Sequence, residues 1–204
     1  MQPKTQRRKR FFVGEIYLLT EIRVYGIIFF VSNKIKSGEK SMDIVLARAE
    51  MLDEIERIYE DARRFMRECG NSLQWNNAYP SRELLLDDIK NSFLHVCLID
   101  GAVAAVFYFR IGDDPTYREI FDGEWKNSLP YAVIHRVALD SSARGTGVIG
   151  AIFDFAFERC PNLKIDTHKD NLPMQRALIK RGFEYCGIIK LESGDPRMAF
   201  QKTK

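Results

Sequence analysis

Length, composition and charge limit the class of protein before any motif is considered. The chain has 204 residues, of which 46% are hydrophobic and 29% charged, so it is long enough to bury one sizeable core. Its 31 basic and 28 acidic side chains leave a formal charge of +3, which is too balanced for a nucleic-acid-binding surface across the whole domain. The four cysteines form no Cys-x-x-Cys pair, and no histidine stands at ligand spacing. We therefore expect no metal site, no disulfide framework and a cytoplasmic location.

The first 41 residues differ in character from the rest. A basic stretch at residues 7–10 precedes an apolar stretch that charged residues interrupt. No run reaches the roughly 20 apolar residues of a membrane span, so we predict no membrane association. Three interpretations stay open: a packed strand or helix, a basic tail for an acidic partner, or sequence translated from a ribosome-binding site ahead of a true start at Met42. We divide the chain into an N-terminal extension, residues 1–41, and a domain, residues 42–204.

From Met42 onward the hydrophobic pattern predicts one element after another. The segment MDIVLARA alternates as a strand does, and residues 51–66 carry an apolar stripe at helical spacing that ends near Gly70. Ser81 is placed to cap a second helix, SRELLLDDIKNS. Two apolar runs then meet at Asp100-Gly101, a strong hairpin signal, and YAVIHRVALD follows as a fourth strand.

The rest of the chain completes an alternating pattern. A helix opens after the sequence RGTG, and LKIDTH is predicted to be a strand. A further helix runs from about Asn171 to Arg181, closed by Gly182, and two strands end the chain. The order β-α-α-β-β-β-α-β-α-β-β predicts an α/β fold, a mixed sheet with helices on both faces.

The turn Arg144-Gly145-Thr146-Gly147 is the first candidate binding feature. It places the free N–H groups of a helix N-terminus at the carboxyl end of a strand, where the helix dipole favours an anion such as phosphate. A plain turn before a buried helix is the competing interpretation. The spacing fits neither a P-loop nor a dinucleotide-binding glycine motif.

This turn resembles the R-x-x-G-x-[GA] pyrophosphate loop of the GNAT superfamily, the acyl-CoA-dependent N-acyltransferases. The order of elements from Met42 to about Lys202 matches that fold, and the asparagine-led helix that ends in Gly182-Phe183 is also similar. Further residues resemble a subgroup of bacterial members: Trp75, Tyr79-Pro80, Asp114-Pro115, Tyr117, Gly123, Trp125 and Ile134-His135-Arg136.

The resemblance implies a GNAT-like fold whose central, mostly antiparallel sheet is splayed between its fourth and fifth strands. It also implies acetyl-CoA as co-substrate, with no metal, the pantetheine lying along the fourth strand and the pyrophosphate on the turn. The residues that the resemblance assigns to the cofactor are Val137, Ala138, Leu139, Arg144, Gly145, Thr146, Gly147, Val148, Ile149 and Asn171. Ile149 departs from the motif, because a small residue is usual at that position.

Transfer of an acyl group to an amine sets three chemical requirements. A primary amine with a pKa of about 10 must lose a proton, the tetrahedral oxyanion needs a donor such as the N–H near Val137, and the thiolate takes up a proton. Many family members use a tyrosine for the last step, but Leu178 stands at that position. His135 is our candidate base, with a buried structural imidazole as the alternative. His168 is a second candidate base or acid, and Tyr185 a candidate acid.

The acceptor side is predicted from aromatic residues. Trp75, Tyr79, Tyr117 and Trp125 would wall a site for a small amine or amino-acid-like group, or would serve only to close the core. We predict an N-acetyltransferase that acts by direct transfer, with a catalytically silent acyl-CoA-binding module as the alternative and nucleic-acid binding through residues 7–10 as a third interpretation. A homodimer is one of the assemblies left open.

Overall fold

The computed structural model describes the backbone of residues 16–24 and 27–35 and all atoms of residues 41–75 and 79–204. The basic stretch at residues 7–10, singled out in the sequence, lies outside the described residues, as do the residues just ahead of Ser41.

The chain divides into two compact units, Met1–Lys40 and Ser41–Lys204. In the first unit, strands β1 (Ile16–Val24) and β2 (Ile27–Ile35) pair as an antiparallel ribbon.

The second unit is built on a seven-stranded mixed sheet with the spatial order β3-β4-β5-β6-β7-β9-β8. All neighbouring strands are antiparallel except β6 and β7, which are parallel. The strands are β3 (Met42–Leu46), β4 (Leu94–Ile99), β5 (Ala102–Ile111), β6 (Ala132–Leu139), β7 (Asn162–Thr167), β8 (Glu184–Lys190) and β9 (Pro196–Thr203). The α-helices are α1 (Leu52–Glu68), α2 (Arg82–Lys90), α3 (Val148–Arg159) and α4 (Leu172–Lys180). The predicted order of elements and the predicted mixed fold are confirmed.

Alternation along the strands sends neighbouring side chains to different cores. Cys97 and Ile134 belong to the cluster that α3 and α4 cover, whereas Val96 belongs to the cluster that α1 and α2 cover. A third cluster, around Tyr117 and Val133, lies where the loop between β5 and β6 folds over the sheet. The sheet therefore has helices on both faces, as the period-2 pattern of its strands requires.

Local signals in the sequence place the ends of these elements. The Ser81 hydroxyl accepts a hydrogen bond from the Leu84 amide at 3.2 Å, which caps α2, and the Asn171 side chain caps α4 through the Met174 amide at 3.2 Å. Asp100 and Gly101 both have positive φ, 51° and 84°. That backbone suits the tight turn of the predicted hairpin, because it matches the twist of the two strands.

Within the part of the chain that the structure describes, no helix is long and apolar enough to cross a membrane. The same residues contain no group of three or more His, Cys, Asp and Glu side chains arranged to hold a metal ion.

Candidate active site

The sheet opens between β6 and β7. These two parallel strands pair only at Ala132–Leu163 and Val133–Lys164, although β6 continues to Leu139 and β7 to Thr167. A mixed sheet that loses its pairing part-way leaves a wedge between the diverging strands, and two cavities lie there. Their volumes are about 750 Å³ and about 260 Å³. The two cavities are contiguous, since they share the lining residues Met66, Trp75, Val137, Asn171 and Met174.

The smaller cavity lies along the end of β6 and the start of α3. Seven of the ten residues that the sequence assigned to a cofactor line it: Val137, Ala138, Leu139, Arg144, Gly145, Ile149 and Asn171. The other three, Thr146, Gly147 and Val148, do not line it. The Val148 side chain is buried in the core instead, and the Thr146 hydroxyl donates to the carbonyl of Ala143 at 2.7 Å.

The turn before α3, which borders this cavity at Gly145 and Ile149, has several unpaired backbone amides. Gly145 and Gly147 have φ of 79° and 94°, a left-handed conformation that glycine adopts without strain. No described residue accepts a hydrogen bond from the backbone N–H of Gly145, Gly147, Val148 or Ile149. The positive end of the α3 dipole adds to these unpaired donors, so the turn is suited to an anion.

Arg144 contributes a fixed cation at the same place. Its guanidinium lies over the Phe65 ring, with Cζ 3.9 Å from the ring centroid. Stacking on an aromatic face restrains the side chain while it leaves the N–H groups available. The small cavity therefore joins an apolar channel along β6 to an end whose charge and free N–H groups suit an anion.

The larger cavity is lined by a cluster of ionisable groups centred on His135. Its Nε2 lies 3.0 Å from Asp114 Oδ2, and its Nδ1 lies 3.4 Å from Asp166 Oδ1. Asp114 caps the short helical turn Pro115–Tyr117 and accepts from the Thr116 amide at 3.0 Å. The Tyr117 hydroxyl donates to Asp166 Oδ1 at 2.7 Å. The imidazole is therefore held between two oriented carboxylates.

The electrostatics of this cluster favour the imidazolium. Burial alone would lower the pKa of His135, but the hydrogen bonds and charges of Asp114 and Asp166 outweigh it and raise the pKa. Burial likewise opposes ionisation of Asp114 and Asp166, and hydrogen bonds to His135 and its charge overcome this and lower both pKa values. The imidazolium and each carboxylate therefore stabilise one another in their charged forms.

Neither Asp114 nor Asp166 was identified as functional from the sequence. A carboxylate in LKIDTH, across the predicted splay from His135, was the available signal for Asp166. Asp114 comes from a loop 21 residues before His135, and no local pattern connects the two.

A β-bulge brings His135 and Arg136 to the same cavity. Tyr108 pairs with His135 and Val106 pairs with Ala138, so Phe107 alone faces two residues of β6. Arg136 takes a φ of 51° at the bulge, and its carbonyl accepts from the Tyr59 hydroxyl at 2.8 Å. Strict alternation along a strand would place only one of these two side chains in the cleft, but both line the larger cavity.

The remaining predicted residues lie in different surroundings. His168 lines neither cavity. Its Nδ1 accepts from the Asp170 amide at 3.2 Å, and burial and the charge of Arg197 lower its pKa. Tyr185 also lines neither cavity, is 49% exposed and packs edge-on against Phe200. Leu178, a residue of α4, is fully buried in the first core cluster.

The four aromatic residues predicted for the acceptor side divide into two pairs. Trp75 and Tyr79 line the larger cavity. Tyr117 and Trp125 form a layer behind its wall: Tyr117 is almost fully buried and bonds Asp166, and the Trp125 indole donates to the Tyr117 carbonyl at 2.9 Å.

Comparisons with known proteins agree with this geometry. Residues 52–183 match the family model described as the acetyltransferase (GNAT) family. The crystal structure of a GNAT-family acetyltransferase from Streptococcus agalactiae is 33% identical, with a TM-score of 0.73, and the match covers 80% of this chain and 95% of that one. None of the curated proteins compared with the chain matches it.

Two more distant structures share the fold. A GNAT-family acetyltransferase from Listeria monocytogenes is 15% identical with a TM-score of 0.58, over 90% of this chain and 99% of that one. An N-acetyltransferase from Staphylococcus aureus is 17% identical with a TM-score of 0.53, over 80% of this chain and 98% of that one. The chain belongs to the GNAT acetyltransferase family, and the protein is an acyltransferase.

Proposed function

We propose that the protein transfers an acetyl group from acetyl-CoA to the primary amine of a small or amino-acid-like acceptor, by direct attack in a ternary complex. The observation that carries this proposal is that a small cavity, bordered by unpaired backbone amides and Arg144, shares lining residues with a larger cavity with charged walls beside the β6–β7 gap. A donor and an acceptor entering from opposite sides would bring thioester and amine together there.

In this proposal the smaller cavity holds coenzyme A. The pyrophosphate accepts hydrogen bonds from the amides of the turn Gly145–Ile149, with Arg144 as the neighbouring cation. The pantetheine lies beside Val137, Ala138 and Leu139, as an added strand would. Asn171 borders both cavities, but its side chain already caps α4 and donates to Gln74 at 2.9 Å. We therefore assign it to shaping the channel.

The amine loses its proton to the cluster of Asp114, His135 and Asp166. When His135 is neutral, the cluster can accept a proton, and the raised pKa of the imidazole brings it closer to that of the amine. The Val137 amide, next to the bulge, is proposed as the oxyanion donor. Since His168 and Tyr185 lie outside both cavities and Leu178 has no proton to give, we propose that water protonates the thiolate.

We also propose a cytoplasmic location, because all four cysteines are free thiols and acetyl-CoA is an intracellular metabolite. A homodimer remains to be tested by sedimentation of the purified protein.

The test is incubation of the purified protein with acetyl-CoA and a pooled library of primary amines, with free thiol and acetylated products both measured. We expect thiol release that depends on the acceptor, and its loss in Arg144→Gln through a raised KM for acetyl-CoA. Propionyl-CoA and succinyl-CoA, run in parallel, test the choice of acyl group. Binding of acetyl-CoA with no release across the library would contradict the proposal and indicate a silent binding module.

A further inference from the structure

The larger cavity is lined by four buried or partly buried cationic side chains whose surroundings differ. Arg110 lies 3.9 Å from Asp114, Arg136 pairs with Asp88, and His135 is held by Asp114 and Asp166. Arg197, close to the start of β9, is 5% exposed and also lines this cavity. Of these four, Arg197 is the one for which no carboxylate of the described residues lies within 4.0 Å.

The hydrogen bonding of Arg197 leaves most of its guanidinium unused. Among the described residues its side chain makes one hydrogen bond, from Nη1 to the carbonyl of Pro196 at 3.0 Å. Ala199 pairs with Asp166, and alternate residues of a strand share a face, so Arg197 lies on the same face of the sheet as the His135 cluster. The free N–H groups of Arg197 therefore belong to the wall of the larger cavity.

A buried guanidinium without a counter-charge is costly, because an ion removed from water must regain its hydrogen bonds elsewhere. Glu192 and Asp195 also line the cavity, but both are exposed, and Asp195 accepts from the Ser193 hydroxyl at 2.9 Å. The protein thus holds a planar, fork-shaped donor in the cavity wall and leaves its partner to be supplied by what binds there.

We propose that the acceptor is a small amine that also carries a carboxylate, and that Arg197 binds the carboxylate. This inference rests on the proposed acetyl transfer. A carboxylate matches the guanidinium in geometry, through two parallel hydrogen bonds, and in charge, one for one. The two negative charges of a phosphate dianion would exceed the single positive charge of Arg197. The acidic residues of the His135 cluster lie on the same cavity wall, where they attract the ammonium end of such a zwitterion.

The test is a binding comparison between amino acids and their carboxamides. The probes are the proteinogenic α-amino acids and β-alanine, each paired with its amide and titrated by calorimetry into the full-length protein in the presence of coenzyme A. For the acids that bind, we expect the wild type to favour acid over amide by about 10- to 100-fold, the range for hydrogen bonds to a charged group. Arg197→Gln should reduce that ratio to about one, because it weakens the binding of the amino acid and leaves the binding of its amide unchanged. Arg197→Lys, which keeps the charge but not the fork, should give an intermediate ratio.

Arg118→Gln is the matched control, because Arg118 is exposed, pairs with Asp113 and does not line the cavity. The control should keep the wild-type ratio. Equal binding of acids and amides by the wild type, an unchanged ratio in Arg197→Gln, or no binding of any acid would overturn the proposal. Should Arg197→Gln fail to fold, the ratio of acid to amide affinity in the wild type alone decides whether the proposal stands.

Thiol release from acetyl-CoA is measured with the same probes, so that the two proposals can fail separately. Acids that bind through Arg197 without thiol release would refute acetyl transfer and leave the carboxylate site in place. Equal release with acids and amides would refute the carboxylate site and leave acetyl transfer in place.

Discussion

His135 is held between two carboxylates, and this determines when its imidazole can accept a proton. In the cationic form both ring nitrogens donate to carboxylate oxygens, at 3.0 Å from Asp114 and 3.4 Å from Asp166. In the neutral form one nitrogen loses its proton and faces a carboxylate lone pair. The neutral form is therefore disfavoured, and the cluster becomes a base only above the ordinary titration range of histidine, about pH 6.5.

Asp114→Asn should move this titration to lower pH. The substitution removes one of the two charges that raise the pKa of His135, so the pKa falls and the neutral, proton-accepting form appears earlier as the pH rises. The rising limb of kcat/KM against pH should shift to lower pH. The plateau should fall by up to about 100-fold, because an imidazole of lower pKa is a weaker base. The measurement is a pH–rate profile with the best acceptor from the screen.

Asp113→Asn is the control for that profile, because Asp113 pairs with Arg118 and makes no hydrogen bond to His135. Its midpoint should equal that of the wild type. An Asp114→Asn midpoint that stays in place, or moves to higher pH, would remove the cluster from the proton transfer.

At the level of elements, the loop between β5 and β6 holds Asp114 against His135, the proposed base. It carries Asp114 and is fastened to β8 by two backbone hydrogen bonds of 2.8 Å between Phe121 and Ile188. Gly123 makes this contact possible, because a Cβ there would lie 2.0 Å from the Cys186 carbonyl oxygen. The loop and the strand approach more closely than any side chain allows.

Gly123→Ala should therefore destabilise the protein and impair its turnover. The new methyl group meets backbone that cannot move aside, so we expect the free energy of unfolding to fall by about 1–3 kcal/mol. Turnover should fall with it, since displacement of the loop loosens Asp114. Denaturant unfolding and steady-state kinetics measure the two effects.

Gly150→Ala is the matched substitution for this test. Its Cβ would meet the end of the Arg181 side chain, 2.4 Å away at Nη2, and that side chain can move. In helix α3, alanine also gains about 1 kcal/mol over glycine in helix propensity. We expect a net change of less than about 1 kcal/mol. Equal losses of stability and turnover from the two substitutions would show that close packing of the loop on β8 does not cause the effects of Gly123→Ala.

The bulge in β6 and the loop that carries Asp114 could not have been predicted from local pattern. Strand and helix periodicities identified the elements of the domain, because each depends on residues a few positions apart. The bulge depends on how β5 and β6 align, so the sequence YAVIHRVALD alone predicted regular alternation. The pairing of Asp114 with His135 likewise depends on how a loop folds back over the sheet.

Across the whole molecule, the two sides of the candidate site differ in how much the sequence could reveal. The turn from Arg144 to Gly147 is continuous in the chain, and its resemblance to a pyrophosphate loop led directly to the smaller cavity. The larger cavity takes Asp114 from a loop, Asp166 from β7 and Arg197 from β9, so its chemistry arises only when the sheet forms. Acceptor recognition was for this reason the part of the function that the sequence left open.

A chain that begins at Met42 should fold and bind coenzyme A as the full-length protein does. Among the described residues, the seven-stranded sheet, its three core clusters and both cavities consist entirely of residues from Met42 onward. We expect the melting temperature to stay within about 2 °C, which corresponds to less than about 1 kcal/mol for a domain of this size.

A chain that begins at Ala47 is the control. It lacks β3, whose Met42 and Ile44 pack against the first core cluster, and it should melt at a lower temperature. Thermal unfolding followed by circular dichroism, with calorimetry of coenzyme A binding, measures both chains. Failure of the Met42 chain to fold or to bind coenzyme A would show that the N-terminal extension is required by the acyltransferase domain.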